Sequence, residues 1–540
     1  MESFSNFDWF ILGLYFLVLI GIVFKVVRAE QTSVAGYFLA GRNLGWFVIG
    51  ASIFASNIGS EHVVGLAGTA ASSGMVMGHY ELHSWIILLL GWVFVPFYMK
   101  SNVFTMPEFL EKRYSSHSRW ILSIISLIGY ILTKVSATVY AGAVVFQTLM
   151  GVEFWSGALM IVLLTGAYTI IGGLRAVIYT DALQAIVLIL GSLTISVMGL
   201  IKIGGWNSLV ANVGSDHFNM FLPADHPHYP WVGMVFAPPI IGIWYWCTDQ
   251  YIVQRVLAAK DQTQALRGTI FGGYLKILPI FLFFIPGLIA YAMLNSGQLN
   301  YDSSDQAFPA LVKELLPSGM RGLVAGGLLA ALMSSLSSVF NSCSTLFTMD
   351  IYSKIRPGRS EKELINVGRI ATAVVVLSGI LWIPFMKIIS GELYTYLQSV
   401  QAYIAPPIAA VFLMGIFWQR INPQGALASL VCGFIIGMVR LILEINKSSL
   451  SGFWFSVADL NFLYFAIYLF LCCVALMVFV SLLTKAQDPE QIANLTFGTT
   501  SEYSNNEIGL KKNKNELIHS LVIILILVMI VIYFSPLGIG

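Results

Sequence analysis

Charged residues are scarce in this chain of 540 residues, where Asp, Glu, Lys and Arg together make up only 10%. An average soluble domain has about 25% charged residues, so most of this surface cannot face water. The formal net charge of +2 provides no basic surface for nucleic acid. Hydrophobic residues make up 57%, and the mean hydropathy is +0.80. The composition excludes a soluble enzyme, a secreted disulfide scaffold and a disordered chain, and it predicts a membrane protein with many spans.

Cysteines are few, and their number is odd. The five are Cys247, Cys343, Cys432, Cys472 and Cys473, and each lies in an apolar stretch. An odd number cannot pair completely, and no exposed loop contains one, so we expect no disulfide framework. We expect these thiols to be buried and to pack as small hydrophobic groups.

Several motifs of enzyme chemistry are also missing. The sequence has no P-loop, HExxH, GxSxG or CxxC pattern, so ATP-driven pumping and metal-dependent hydrolysis have no support. We therefore expect a protein that is not an enzyme. The start, MESFSNFDWF, has no basic region ahead of its first apolar run, so a signal peptide is not expected.

Long hydrophobic runs are abundant. A membrane-spanning helix needs about 20 mostly apolar residues. The predicted helices are 9–27, 45–71, 79–99, 117–150, 153–172, 176–202, 231–254, 264–295, 319–352, 362–388, 392–418, 423–444, 459–484 and 516–536, fourteen in all. If both termini lie outside, most of the 29 Lys and Arg residues fall on the inner side, as the positive-inside rule requires. We expect a multi-pass protein of the plasma membrane in this orientation.

Two of these helices carry polar or helix-breaking residues near their middle. The second contains FASNIGSEH, and the seventh contains APPIIGIWYWCTDQ with Pro238, Pro239 and Gly242. Interrupted helices at corresponding positions in two halves of a transporter indicate its substrate site. Simple kinks without a ligand are the alternative. We interpret residues 36–202 and 231–420 as two inverted repeats of five helices each.

The remaining segments flank these repeats. They are a first transmembrane helix within residues 1–35, an extracellular loop at 203–230, two helices at 421–484, a cytoplasmic connector at 485–515 and a last transmembrane helix at 516–540. The predicted fold class is therefore an all-α polytopic membrane protein with about fourteen transmembrane helices and an inverted five-plus-five helix core.

Ionisable side chains within membrane helices are costly and usually functional. The predicted spans contain His62, Glu81, His83, Lys134, Asp181 and Lys276, and Asp249 lies near a helix end. Three of these residues also have a purely structural interpretation. Lys134 could extend its long stem towards the surface, Asp249 could be solvated, and Lys276 could form an internal ion pair that holds the bundle together.

The span ALMSSLSSVFNSCSTLFTMD is rich in hydroxyl groups. Such hydroxyls often bond the carbonyls of their own helix or allow close packing. They also suit Na+, a hard cation that prefers several oxygen ligands, when a neighbouring interrupted helix supplies free carbonyls. Asp181 could neutralise a second cation nearby.

A sugar requires paired hydrogen-bond donors and acceptors, together with an aromatic ring against its apolar face. The polar candidates are Asn57, His62, Glu81, Lys276 and Gln398, and the aromatic candidates are Tyr80, Tyr245, Trp246 and Tyr394. The composition alone does not show that these side chains lie close together in the folded protein.

Several motifs, in order along residues 36 to 485, resemble the sodium:solute symporter family and its sodium/glucose cotransporter type. They are GYFLAGRNLGWFVIGASIFASNIGSEHVVGLAG, TMPEFLEKRY, TKVSA, YTIIGGLRAVIYTDALQ, WYWCTDQYIVQR, GYLKILP, ALMSSLSSVFNSCSTLFTMDIY and PPIAAVF. The resemblance implies a core of ten helices in two inverted repeats, with flanking helices.

The resemblance also implies roles for individual residues. Sugar contacts are implied for Asn57, His62, Glu81, Tyr245, Trp246, Lys276 and Gln398. Tyr245 is implied as an inner gate, and Val63, Tyr80 and Tyr394 as an outer gate. The main sodium site would use the carbonyls of Ala55, Ile58 and Ala331 with the hydroxyls of Ser334 and Ser335, and a second would use Asp181, Ser334, Ser337 and Ser338.

The function implied by the resemblance is symport of a hexose such as glucose or galactose, with two Na+ per sugar. The expected partners are the sugar, sodium ions and membrane lipid, with no nucleic acid, and the residues name no partner protein. Two kinds of alternative stay open. One is sodium symport of myo-inositol or sialic acid, and the other is a sodium-dependent sugar sensor that does not transport.

Overall fold

The computed structural model describes residues 4–27, 42–59, 61–389, 393–499 and 514–540. Within these ranges, the side chains of residues 23–27, 61, 167–168, 170–182, 184–185, 382–389 and 498 lie outside the description. Asp181 is among them.

The described residues fold almost entirely into helices and contain no strand. The longer α-helices are Asn6–Val27, Trp46–Asn57, Ser116–Tyr130, Ser136–Met150, Phe154–Ile203, Trp231–Gly242, Gln262–Leu275, Ile285–Asn295, Met320–Thr345, Glu361–Ile389, Leu393–Phe417, Pro423–Ile445, Phe462–Leu483 and Lys514–Tyr533. Shorter α-helices are Ala67–Ser73, Gly78–Glu81, Ser84–Leu89, Val95–Ser101, Met106–Arg113, Trp206–Val213, Ser215–Phe218, Gln250–Leu257, Ala307–Leu315, Ser353–Ile355 and Gly452–Asp459.

Six π-helical stretches lie within or beside these helices. They are Glu61–Leu66, Leu90–Phe94, Ile131–Val135, Ile243–Thr248, Ile280–Phe284 and Leu346–Tyr352. Short 3₁₀ turns cover Gly74–Met77, Ser304–Gln306, Lys447–Ser449 and Phe497–Thr499. One isolated parallel bridge joins Leu44 to Ala259.

Eleven of the described helical segments are long and apolar enough to cross a membrane, and three shorter apolar helices accompany them. Each of the fourteen predicted ranges overlaps one of these segments. The end predicted between the helices 153–172 and 176–202 is wrong, because the backbone is helical without a break from Phe154 to Ile203. At 50 residues, this stretch has the length of both predicted spans. Gly172 and Gly173 do not end it, since glycine lowers helix propensity but, unlike proline, keeps its N–H donor.

The first predicted break is present in the structure. The helix Trp46–Asn57 ends at Asn57, Ile58 is extended with φ −75° and ψ 97°, and helical structure resumes at Glu61. A helix end leaves its last carbonyls without intrahelical partners. The break therefore exposes carbonyl oxygens inside the protein.

The second break is displaced from its predicted position. Pro238 and Pro239 lie inside the helix Trp231–Gly242, and the chain leaves the helical conformation at Asp249, with φ −78° and ψ 127°. The π-helical stretch Ile243–Thr248 carries the helix past the prolines. The Asp249 side chain accepts a hydrogen bond from the Tyr251 N–H and starts the next helix, so the carboxylate sets the break.

A third interruption was not predicted. The range 264–295 was interpreted as one helix, but the helix Gln262–Leu275 ends at Lys276 and a turn leads to Pro279. Proline has no N–H to donate to the preceding turn, which accounts for the interruption. Lys276 consequently lies at a helix end, deep in the protein.

Burial separates the inner helices from the outer ones. In the segment Met320–Ile355, 94% of the 18 residues of its apolar stretch are buried inside the protein, whereas the corresponding fraction in Lys514–Tyr533 is 22%. The helices Trp46–Asn57 and Gln262–Leu275 meet at glycines. A Cβ atom on Gly50 would lie 2.7 Å from the Gly268 carbonyl oxygen, so only glycine permits this approach of the two backbones.

The cysteines are free thiols, as predicted. Cys247, Cys343 and Cys473 are buried, but Cys432 and Cys472 are exposed, so the prediction of five buried thiols is wrong for two. Both exposed cysteines belong to outer membrane-spanning helices, whose apolar side chains face lipid. There, an apolar neighbourhood in the sequence does not imply burial within the protein.

Candidate functional site

All seven predicted sugar-contact residues line one buried cavity. Its volume is about 40 Å³. The lining residues are Asn57, His62, Tyr80, Glu81, His83, Ile241, Gly242, Tyr245, Trp246, Lys276, Tyr394, Gln398 and Gln401. The structure thus brings together side chains from all three helix interruptions, although they are far apart in the sequence.

Lys276 and Glu81 form the charged centre of the cavity. The Lys276 Nζ lies 2.6 Å from Glu81 Oε2, and His62 Nε2 lies 3.1 Å from the same oxygen. Each of the three residues is at most 3% exposed. Buried charges require such partners because their desolvation is costly. The internal ion pair considered for Lys276 is present, and it lies in the wall of the cavity.

Asn57 links this centre to the aromatic side of the cavity. Its Oδ1 accepts a hydrogen bond from Lys276 Nζ at 2.7 Å, and its Nδ2 donates to the Tyr245 hydroxyl at 3.2 Å. The Tyr245 ring meets the Trp246 ring edge to face, with centroids 4.9 Å apart. The Lys276 ammonium lies 5.4 Å from the Trp246 ring centroid. One amide therefore connects the ion pair to both aromatic residues.

The local backbone places these groups. Asn57 is the last residue of its helix, Glu81 is the last residue of Gly78–Glu81, and Lys276 follows the end of Gln262–Leu275. A cation beside a helix C-terminus is stabilised by the helix dipole. The interruptions therefore supply both polar side chains and a favourable position for the lysine.

Three cavity side chains carry buried polar atoms without a hydrogen-bond partner within the described protein. They are Gln398 Oε1, the Tyr80 hydroxyl and His83 Nε2. Leaving such groups unsatisfied costs about 1–3 kcal/mol each. A polar ligand in the cavity could satisfy them.

The sequence interpretation singled out His83 as an ionisable residue within a span but did not include it among the sugar contacts, and it missed Gln401. Gln401 follows Gln398 by three positions in the helix Leu393–Phe417, so both lie on the same helix face. That spacing was an available signal. His83 lies two residues after Glu81, where the chain leaves one short helix and enters the next, and no periodic pattern predicts its direction.

The predicted outer-gate residues take different positions. Tyr80 and Tyr394 line the cavity, and both are buried. A Cβ atom on Gly65 would lie 3.0 Å from the Tyr394 Cβ, so glycine allows Tyr394 to pack closely against the helix. Val63 is fully buried, but it is not among the described residues that line the cavity.

The residues predicted for the main sodium site meet where the first break faces the helix Met320–Thr345. Ser334 Oγ lies 3.3 Å from the Ala55 carbonyl oxygen, and Ser335 Oγ lies 2.9 Å from the Ser56 carbonyl oxygen. Ile58 and Ala331 are buried at the same two helix segments, Ala331 one turn before Ser334. The site thus offers neutral hydroxyl and carbonyl oxygens.

Those donors suit Na+ by their chemistry. Within the part of the chain that the structure describes, no group of three or more His, Cys, Asp or Glu side chains is placed to hold a metal ion. Hard cations prefer oxygen ligands, which the serine hydroxyls and the free carbonyls of the first break supply. The residues present therefore fit a transported sodium ion.

The residues predicted for the second sodium site are less available. Ser337 Oγ donates to the Ser334 carbonyl of its own helix at 2.9 Å. Ser338 Oγ accepts a hydrogen bond from the Arg255 guanidinium and lies 3.2 Å from Ser56 Oγ. The Asp181 side chain lies outside the described residues. In this arrangement a guanidinium already occupies the surroundings of Ser338.

Comparison with known proteins identifies the family. Residues 37–433 match the model of the sodium:solute symporter family. The chain is 41% identical to sodium/glucose cotransporter 1 of Oryctolagus cuniculus, over 88% of this chain and 79% of the relative. It is 38% identical to the sodium/myo-inositol cotransporter of Homo sapiens, over 94% of this chain and 76% of the relative.

A solved structure shares the fold. It is the substrate-bound outward-open state of a Na+-coupled sialic acid symporter, with a TM-score of 0.78 and 23% identity. The match covers 90% of this chain and 99% of that one. The predicted fold class, a polytopic all-α protein with an inverted five-plus-five helix core and flanking helices, is confirmed.

Interrupted helices around a polar cavity in a helical membrane protein are typical of a secondary transporter. This chain belongs to the sodium:solute symporter family. Its coupling ion is Na+, and it is a multi-pass membrane protein.

Proposed function

We propose that the chain transports a hexose such as glucose or galactose together with Na+. The observation that supports this most strongly is the convergence of seven polar and aromatic side chains on one cavity around the pair Lys276–Glu81. Carboxylate, ammonium and amide groups can donate and accept hydrogen bonds with vicinal hydroxyls. Tyr245 and Trp246 provide rings for the apolar face of a sugar.

The cavity of about 40 Å³ has room for about three water molecules and not for a hexose. Sugar entry therefore requires Tyr80 and Tyr394, the outer-gate residues of the proposal, to move apart. Tyr245 would close the opposite side as the inner gate. Exchange between outward-facing and inward-facing states then exposes the cavity to each side in turn.

Sodium coupling follows from the position of the main sodium site. An ion held by Ala55, Ile58, Ala331, Ser334 and Ser335 would join the first break to the helix Met320–Thr345. Asn57 lies between Ser56 and Ile58, so ordering this break also orders the amide that faces the sugar. Binding of Na+ thereby raises sugar affinity, and sugar raises Na+ affinity by the same factor.

The proposal includes a second Na+ at Asp181, Ser334, Ser337 and Ser338. Ser338 then has to exchange its hydrogen bond from Arg255 for the ion. Two positive charges per uncharged sugar predict a charge-to-sugar flux ratio near two under voltage clamp. A ratio near one would mean that only the Na+ at the main site is transported.

Transport is tested with purified protein in proteoliposomes. A sodium gradient should drive accumulation of labelled glucose or galactose, and replacement of Na+ by choline should abolish it. Accumulation of myo-inositol or sialic acid instead of hexoses would reassign the substrate. Sodium-dependent binding without accumulation would indicate a sensor. We place the protein in the plasma membrane with both termini outside, which labelling of terminal tags on intact cells tests.

A further inference from the structure

Lys134 and Asp249 form a second buried ion pair, separate from Lys276 and Glu81. Lys134 Nζ lies 3.3 Å from Asp249 Oδ2, and the two side chains are 6% and 2% exposed. The Tyr130 hydroxyl donates to the other oxygen of Asp249. The alternatives considered for these residues, a lysine stem that reaches the surface and a solvated aspartate, are therefore wrong.

Aromatic rings surround the Lys134 ammonium. The distances from Nζ to ring centroids are 3.6 Å for Tyr251, 4.1 Å for Tyr245, 5.7 Å for Tyr130 and 6.0 Å for Trp244. We call Asp249 and these four rings the Lys134 cage. A desolvated cation over an aromatic ring is attracted by the negative face of the ring, so the ammonium favours the present positions of the two nearest rings.

The two nearest rings belong to different sites. Tyr245 lines the sugar cavity and accepts the hydrogen bond of Asn57. The Tyr251 hydroxyl lies 3.1 Å from Ser335 Oγ, at the main sodium site, and donates to the carbonyl of Ser56, the residue after Ala55. One ammonium therefore contacts a ring of the sugar site and a ring of the sodium site.

The helices around the cage are wound irregularly at these positions. Lys134 lies in the π-helical stretch Ile131–Val135, and Tyr245 lies in Ile243–Thr248. Asp249 is the residue at the second break, between Ile243–Thr248 and the helix Gln250–Leu257. Such π-helical turns frequently occur at functional sites, because they direct side chains that a regular helix would direct elsewhere.

We propose that Lys134 is a positioning residue that couples sodium occupancy to sugar binding through Tyr251 and Tyr245. A sodium ion at Ser335 competes for the oxygens that Tyr251 now contacts, which changes the position of the Tyr251 ring. The ammonium and Asp249 follow that ring, and Tyr245 changes its contact with Asn57. The inference rests on the proposed function, because it assigns the path between its two sites.

The test uses the double variant Lys134→Met with Asp249→Asn, which removes both buried charges together and leaves neither unpaired. D-glucose uptake into proteoliposomes is measured at saturating and at low Na+, and the ratio of the two sugar KM values gives the coupling. Coupling energies in proteins usually correspond to about 5–150-fold. We expect this KM ratio to be at least about fivefold smaller in the double variant than in the wild type.

A matched control is Lys202→Met with Glu314→Gln. This pair lies at 2.9 Å on the surface, with side chains 37% and 39% exposed. It should retain the wild-type ratio. If the cage variant also retains that ratio while transporting sugar, the inference is overturned. If wild-type protein shows no sodium-dependent glucose uptake, the proposed function fails instead.

Tyr251→Phe decides the question if the double variant does not fold. It keeps the ring against the ammonium and removes only the hydroxyl at Ser335. We expect Na+ to raise the melting temperature of this variant in detergent. We also expect D-glucose to raise it by the same amount with and without Na+. A glucose effect that depends on Na+ as in the wild type would overturn the inference.

Discussion

Lys276 and Glu81 lie 195 residues apart in the sequence, and their charged atoms are 2.6 Å apart in the buried cavity. Each is 3% exposed. Glu81 also contacts His62, and Lys276 also contacts Asn57, so the pair belongs to a continuous polar network. A ligand with hydroxyl groups can replace parts of this network without leaving a charge unpaired.

The first prediction concerns this pair. Glu81→Gln or Lys276→Met should each abolish sugar uptake and lower thermal stability, because removal of one partner from a buried pair costs about 3–5 kcal/mol. The double variant should recover stability but not uptake. Thermal melting and proteoliposome uptake measure the two effects. Normal uptake by the double variant would remove the pair from the sugar site.

Gln398→Ala tests the cavity beyond the ion pair. Its Oε1 is buried without a partner in the described protein, so the native protein should gain stability from removal of this atom while losing a contact to sugar. We expect the sugar KM to rise about three- to tenfold, the effect of one hydrogen bond of about 1 kcal/mol. Gln424→Ala, at an exposed position, is the control and should leave KM unchanged. An unchanged KM for Gln398→Ala would argue against a sugar contact.

Ser335→Ala tests the main sodium site. The Na+ concentration for half-maximal uptake should rise about tenfold or more, since hydrogen bonds or contacts to a charged group contribute about 1.5–3 kcal/mol. The matched control is Ser344→Ala on the same helix, whose hydroxyl donates to the Gly368 carbonyl at 2.7 Å. Equal sodium dependence in the two variants would contradict the assignment.

The carboxyl of Glu111 gives a pH prediction outside the membrane spans. Burial raises its pKa, but hydrogen bonds and charge from Arg119 and Lys354 outweigh burial, so the pKa lies below its ordinary value of 4.5. The ionised form is therefore stabilised by folding, and this contribution is lost as the pH falls through the lowered pKa. Glu111→Gln should destabilise the protein by about 1 kcal/mol or less at neutral pH.

Thermal melting of wild type and Glu111→Gln, at neutral pH and well below pH 4.5, measures this contribution. The difference between the two proteins should disappear at acid pH, because wild-type Glu111 is then protonated. A difference that is equal at both pH values would show that the carboxylate charge plays no part.

The sequence predicted the members of the site because membrane burial restricts which polar residues can occur. Glu81, Lys276 and Asn57 stood out as costly groups in apolar helices, and the structure brings them together. The distances between them depend on packing across 195 residues of chain. No local pattern contains that information.

The positions of the helix breaks were predicted less well, for a local reason. Pro238 and Pro239 indicated a break, but π-helical winding carries the helix past them to Asp249. Pro279 in GYLKILP did signal the third interruption and was not used. Proline identifies strain in a helix, while the residues around it decide whether the helix ends, bends or widens.

The glycine contact between Trp46–Asn57 and Gln262–Leu275 limits which parts of the site can move. Gly50 lies against the backbone of Gly268, and the Phe271 side chain packs at the same glycine, so this close contact leaves the two helices little room to slide past each other. Asn57 ends one helix and Lys276 follows the other, so both residues travel together. One half of the cavity, formed by these two residues, consequently moves as a unit, and the change in cavity shape during the transport cycle comes from the helices that carry Glu81, Tyr394 and Gln398.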